Sequence, residues 1–108
     1  MELGDHEYRI ASTDDIPEGQ GRVFEAGGRM IAVFNDDGTF KAIDDMCPHA
    51  GASLSEGWLD DGCVTCPWHA WQFQLSDGAY IQNPRLKVDT FPVRIEGTDI
   101  IVTVVPKH

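Results

Sequence analysis

Glycine and Asp-Gly pairs cut this chain into short extended pieces, each with its own small set of apolar residues. Residues 8–11 read as a strand. Residues 22–25 and 29–35 flank Gly27-Gly28, a hairpin signal. Asp36-Asp37-Gly38 then turns the chain into a strand at 39–44, and Asp60-Asp61-Gly62 leads into another at 63–66. Ser76-Asp77-Gly78 follows a strand at 72–75. Near the end, a strand at 91–95, the turn Glu96-Gly97-Thr98-Asp99 and a strand at 100–105 predict a further hairpin. No long stretch has helical periodicity, and only a single turn is expected at 14–19. Many short strands at close spacing predict an all-β fold, an antiparallel sandwich or barrel.

Length and composition fit that reading. The chain has 108 residues, 42% of them hydrophobic, enough for one domain with a modest core. The longest strongly apolar stretch, 100–105, is interrupted by Thr103. It falls far short of the roughly 20 residues needed to span a bilayer, so no membrane segment is expected. The opening Met1-Glu2-Leu3-Gly4-Asp5 is acidic and lacks the basic and apolar regions of a signal peptide, which predicts a soluble, cytoplasmic protein. The formal net charge is −10. Phosphates would be repelled by such a surface, so nucleic acid is not an expected partner. A partner with a basic docking face is one reading of the charge, and solubility alone is the other. Three cysteines are too few and too uneven for a disulfide scaffold.

Two runs concentrate the chemistry: Cys47-Pro48-His49 and Cys66-Pro67-Trp68-His69, sixteen residues apart. Both fall in loops after strands, one beyond Ile43 and one beyond Val64-Thr65. The other two histidines, His6 and His108, lie near the ends, so every interior histidine sits at a fixed short spacing from a cysteine. Metal ligation follows from that spacing. Soft thiolates favour iron–sulfur clusters, zinc or copper(I), and imidazole suits iron or zinc. A tetrahedral zinc site would use the same four residues. Zinc fingers, however, pair Cys with Cys and His with His, whereas here each run mixes the two. One Cys and one His per run let one iron take both sulfurs and the other both nitrogens, the ligand set of a Rieske [2Fe–2S] centre.

The segment Cys47-Pro48-His49-Ala50-Gly51-Ala52-Ser53-Leu54, followed by Cys66-Pro67-Trp68-His69-Ala70-Trp71-Gln72-Phe73, resembles the Rieske ferredoxin family. It is most similar to the soluble ferredoxin components of bacterial ring-hydroxylating dioxygenase systems. The resemblance is strongest over residues 46–78 and extends loosely over nearly the whole chain. It implies one [2Fe–2S] cluster, with Cys47 and Cys66 on one iron and His49 and His69 on the other. It also implies a Rieske-like antiparallel base domain with a small inserted cluster-binding subdomain at about residues 45–85. Respiratory-chain members carry two further cysteines that bridge the ligand loops. Ala52 and Trp68 stand at those positions here, so that bridge cannot form, as suits a reducing cytoplasm. The same members place a Ser and a Tyr just after the second run, donating hydrogen bonds to cluster sulfurs. Here that stretch is Trp71-Gln72-Phe73, and the nearest hydroxyls are Ser76 and Tyr80. Such donors raise the potential by stabilising the reduced centre, so their absence predicts a value near the low end of the Rieske range, about −150 mV.

The family implies a one-electron carrier and not an enzyme. It would take electrons from an NAD(P)H-dependent flavoprotein reductase and pass them to a terminal oxygenase through transient, electrostatic encounters. An oxygenase would need a separate mononuclear iron with two His and a carboxylate, and only His6 and His108 remain. The alternatives are a Rieske-type small subunit of a reductase, such as that of NAD(P)H nitrite reductase, and a zinc-stabilised binding module. Several other residues carry expectations. Trp58 and Trp71 read as packing residues in preference to a shield over the cluster or part of a docking surface, and Trp68 as part of the cluster rim or as packing. Gly51, Gly57 and Gly62 read as sites of tight backbone. Asn83-Pro84 reads as a third loop over the cluster or as a plain turn. Cys63 makes Cys63-x-x-Cys66, and a strand thiol is favoured over a redox dithiol because ligation already occupies Cys66.

Overall fold

The computed structural model describes residues 3–46, 53–67 and 71–105. Its described strands are β1 (Glu7–Ser12), β2 (Gly21–Ala26), β3 (Arg29–Asp36), β4 (Thr39–Asp44), β5 (Trp58–Asp60) and β6 (Cys63–Thr65). They continue as β7 (Gln72–Gln74), β8 (Ala79–Tyr80), β9 (Asn83–Lys87), β10 (Thr90–Phe91), β11 (Val93–Glu96) and β12 (Asp99–Thr103). Two single 3₁₀ turns, Thr13–Asp15 and Leu54–Glu56, are the helical pieces among the described residues. The first falls in the stretch expected to turn. Ser12 caps it, with its hydroxyl accepting from the Asp14 amide and its own amide donating to Asp15.

Turn chemistry sets the hairpin registers. Ala26 pairs with Arg29 across Gly27-Gly28, Asp36 with Thr39 across Asp37-Gly38, and Asp60 with Cys63 across Asp61-Gly62. All six turn residues have positive φ, between 53° and 87°, the demand of a two-residue I′ turn. Asp tolerates that region because its short side chain satisfies local backbone groups, and Gly because it has no Cβ.

Three antiparallel sheets result, ordered β1-β12-β11, β10-β4-β3-β2 and β5-β6-β7-β8-β9. The four-stranded sheet lies between two cores. Ile31, Val33 and Ala42 face a cluster shared with Ile100, Val102 and Val104 of the three-stranded sheet. Ala32, Phe34 and Ile43 face a second cluster with Val64, Cys66, Phe73 and Tyr80 of the five-stranded region. Alternation explains the split, since successive side chains leave opposite faces of a strand. It also explains why β3 is an uninterrupted apolar run: Ile31, Ala32, Val33 and Phe34 are all fully buried. Burying Phe34 and Phe73 completely stabilises the core they share by about 1.5–3 kcal/mol each.

Two expectations need correction. The strand at 91–95 is broken at Pro92: β10 pairs with β4, whereas β11 pairs with β12 in another sheet. Proline has no amide to donate, so the ladder ends there and the chain changes layers, while the Pro92 carbonyl accepts from the Thr103 amide. Asn83-Pro84 is neither a loop nor a turn but the start of β9, with Tyr80 paired to Asn83 and the turn at Ile81-Gln82. Strand β9 is exposed throughout and lies at the sheet edge, where a missing proline amide costs no ladder bond.

Candidate metal centre

The first ligand run leaves the end of β4. Met46 and Ser53 form an isolated antiparallel bridge, which closes the neck of the segment 47–52. The buried Asp45 pins that neck from below. Its backbone carbonyl accepts from the Leu54 amide at 2.6 Å. Its carboxylate accepts from the Ser53 hydroxyl at 2.6 Å and from the Ser55 amide at 2.8 Å. Cys47 and His49 lie outside the described residues, but both ends of the loop that carries them are fixed.

The second run leaves β6. Cys66 is fully buried, and its amide donates to the Trp71 carbonyl at 2.7 Å, closing the second neck. His69 and Trp68 lie outside the described residues. Just after this run in the chain, Trp71 stacks on Tyr80 and Phe73 packs obliquely against both. The two necks are neighbours. Leu54, just beyond the first loop, and Cys66 belong to the same buried cluster. Gly57 follows the Leu54–Glu56 turn and lies so close to the Thr65 carbonyl oxygen that any Cβ there would collide with it. Asp45 was not singled out from sequence. The available signal in the sequence is an acidic residue two positions before Cys47, with serines at 53 and 55.

The donor chemistry fits a mixed thiolate–imidazole group. The one described member of the set, Cys66, is a fully buried cysteine at the base of a closed loop, shielded from water as a cluster sulfur donor must be. Among the described residues, no other group of three or more His, Cys, Asp or Glu could hold a metal ion. Cys63 is a strand residue in β6 paired with Gln74, as expected for a thiol outside the ligand set. Burial pushes its thiol pKa up, and Asp61 and Asp60 add to the rise, so it is a poor thiolate. Trp58 departs from the packing expectation, since it is 55% exposed beside the second neck, paired across the ladder with Thr65. Trp71 is half-buried and packed, as expected.

An all-β frame that brings two loop necks together, each neck carrying one Cys–His pair, is the build of a small iron–sulfur electron carrier. The chain belongs to the Rieske [2Fe–2S] domain family, whose family model matches residues 6–92. It is 34% identical over 107 residues to the ferredoxin component of an alkene monooxygenase system from Xanthobacter autotrophicus, covering 97% of this chain and 88% of that protein. It is 43% identical over 90 residues to a 3-phenylpropionate/cinnamic acid dioxygenase ferredoxin subunit from Shigella boydii, covering 82% and 84%. Among solved structures, the ferredoxin of carbazole 1,9a-dioxygenase from Nocardioides aromaticivorans superposes with a TM-score of 0.83 at 29% identity, covering 90% of this chain and 96% of that one. A complex of reduced oxygenase and oxidised ferredoxin of carbazole 1,9a-dioxygenase matches at a TM-score of 0.82 and 27% identity, covering 93% and 94%. A protein assigned as an NADH-dependent nitrite reductase small subunit from Mycobacterium tuberculosis matches at 0.86 and 28%, covering 94% and 96%. The cofactor is one Rieske-type [2Fe–2S] cluster, and the chain is an electron-transfer ferredoxin, not a catalytic enzyme. No helix among the described residues is long and apolar enough to cross a membrane.

Proposed function

We propose that this ferredoxin carries single electrons from an NAD(P)H-dependent flavoprotein reductase to a terminal, ring-hydroxylating oxygenase in the cytoplasm. Residues 45–85 are its cluster-binding unit. Cys47 and Cys66 hold one iron, and His49 and His69 hold the other. When bound, the cluster supplies a one-electron couple between diferric and mixed-valence states. The chain's own contribution is to fix two loop necks against one buried core and to keep water from the sulfur side.

The observation that carries this reading is the shared anchoring of the two necks, with Leu54 and Cys66 in one apolar cluster. A cluster held across two loops needs both to keep a fixed separation, because ligand distances tolerate little slack. The net charge of −10 suits brief encounters with basic docking faces, which quicken association and weaken with salt. The test is reconstitution with a dioxygenase reductase and oxygenase. Substrate hydroxylation should require this protein and should slow as salt rises. A chain that accepts no electrons from any such reductase would overturn the proposal.

The second reading, a stably bound small subunit of nitrite reductase, is supported by the structural match to such a subunit. Size-exclusion chromatography with each candidate partner separates the two. A carrier elutes alone, and a subunit co-elutes at low concentration.

A further inference from the structure

We propose that Arg29 is a positioning residue for the cluster, acting on the first ligand loop through Asp44. Arg29 opens β3, and one guanidinium nitrogen, Nη2, donates to Asp44 at 2.9 Å and to Asp89 at 2.8 Å. Its guanidinium lies over the Phe91 ring, 4.9 Å from the centroid. The second oxygen of Asp44 accepts from the Met46 amide at 3.0 Å. Guanidinium, carboxylate and amide therefore form a two-link tether that ends one residue before Cys47. Met46 also forms the bridge that closes the loop neck.

The same cation gathers the two places where the chain passes between the four-stranded and five-stranded sheets. Asp44 ends the outgoing strand β4, and Asp89 lies between β9 and β10 on the return. The Asp44 amide donates to the Asp89 carbonyl at 2.8 Å, so the two crossings are also joined through backbone. Two carboxylates this close repel unless a cation stands between them. Arg29 has 18% side-chain exposure, so solvent screens this triad less than it would an open surface pair. Removing the guanidinium takes away the cation that Asp44 and Asp89 share. The Asp44 carboxylate can then turn, and the Met46 amide loses its fixed acceptor. Groups that orient metal ligands from behind act in this way. The proposal rests on the assignment of Cys47 as a ligand.

The test compares Arg29→Met, which keeps length and apolar contact with Phe91, with Arg94→Met as a control. Arg94 joins Glu7 and Glu96 in the other outer layer of the fold. Three signals are read on the purified holoproteins: the rate of visible-band loss under chelator, the reduction potential, and the reduced-state EPR line widths. Arg29→Met should lose cluster about tenfold faster or more, with shifted potential and broadened lines. Arg29→Lys should recover part of each signal. Arg94→Met should leave all three at wild-type values even if it lowers the melting temperature. If Arg29→Met does not fold, Asp44→Asn, which also breaks the ion pair, should show the same three changes. Wild-type values in Arg29→Met or Asp44→Asn, or equal changes in Arg94→Met, would overturn the proposal. A wild-type chain that keeps its cluster after Cys47→Ser would overturn the ligand assignment instead, and the tether with it.

Discussion

Trp71 lies face to face with Tyr80, their ring centroids 4.1 Å apart and their planes within 6°. The pair follows the second neck, where the Trp71 carbonyl accepts from the Cys66 amide, and the Tyr80 hydroxyl has its own partner. That hydroxyl donates its single proton to the Gln82 side chain at 3.1 Å. In that arrangement it would have no proton left to donate in a hydrogen bond to a cluster sulfur. Such bonds stabilise the reduced, more negative centre and raise its potential. The expected potential is near the low end of the Rieske range, about −150 mV, and Tyr80→Phe should not move it. Potentiometric titration of both proteins checks this. A wild-type value above about +100 mV would mean that donors to the sulfurs are present after all.

Asp45 gives a stability prediction with a local signature. Asp45→Ala strands the buried Ser55 amide and leaves the Ser53 hydroxyl with only its contact to the Ser55 hydroxyl among the described residues. Leaving one buried donor unpaired costs about 1–3 kcal/mol. Asp45→Asn, which keeps an acceptor oxygen, should lose less. Chemical denaturation measures both, and cluster loss should accelerate in the order Asn, then Ala. Equal stability of Asp45→Ala and wild type would show that the pin is dispensable.

Gly57 tests the contact between the two necks. An added methyl would meet the Thr65 carbonyl oxygen, a backbone atom that cannot swing aside. Gly57→Ala must therefore push the Leu54–Glu56 turn away from β6, at a cost well above about 1 kcal/mol. The cluster should assemble poorly, read as a low ratio of visible to protein absorbance. Gly19→Ala provides a contrast: nothing lies near its Cβ, so only backbone strain is felt there, and assembly should be normal.

The turns were legible because their chemistry is local. Asp37-Gly38 and Asp61-Gly62 announce positive φ from residue type alone, and the structure puts them there. The two Cys–His runs stand out in the sequence because mixed Cys–His spacing has few other uses. What the sequence concealed depends on distant partners. Strand β9 carries Asn83, Pro84, Arg85 and Lys87, a set that looks like loop until Tyr80 and Ala79 are seen to pair with it. Pro92 looked like part of one strand because both halves are extended, and only their separate sheet partners reveal the break. Asp45 went unmarked, since its role depends on serines beyond the ligand segment. Trp58 looked like packing by its size, yet it is 55% exposed on the edge strand β5, whose Leu59 packs inward instead.

Acid should weaken the outer sheet through Glu7. Its carboxyl pKa is lowered from 4.5 to about 2, first by the hydrogen bond from Arg94 and next by the Gly4 amide. A lowered folded-state pKa means that the unfolded chain binds the proton more tightly. The stabilisation is therefore full above the ordinary carboxylate value and fades as pH falls from 4.5 toward 2. Glu7→Gln should be less stable than wild type at neutral pH, with the gap closing in that acid window. Thermal melts at a series of pH values check the sign. A gap that stays constant down to the acid end would show that the pairing adds nothing in solution.

The sharpest chemical test separates two cysteines three residues apart. Cys66 is fully buried at the mouth of a closed loop, whereas Cys63 opens strand β6 opposite Gln74. The loop that carries Cys66 also carries His69, so the loop cysteine is the expected donor and the strand thiol is not. Cys63→Ser should retain two irons and two sulfides per chain, red-brown colour and the reduced-state EPR signal of the wild type. Cys66→Ser should lose all three. His69→Ala should also lose the wild-type signal, because replacing a nitrogen donor removes the asymmetry between the two irons that produces it. Iron and acid-labile sulfide assays, read beside the spectra, decide the matter. Cluster loss in Cys63→Ser with retention in Cys66→Ser would move the thiolate to the strand, and the second neck would then have to be rebuilt around a different donor.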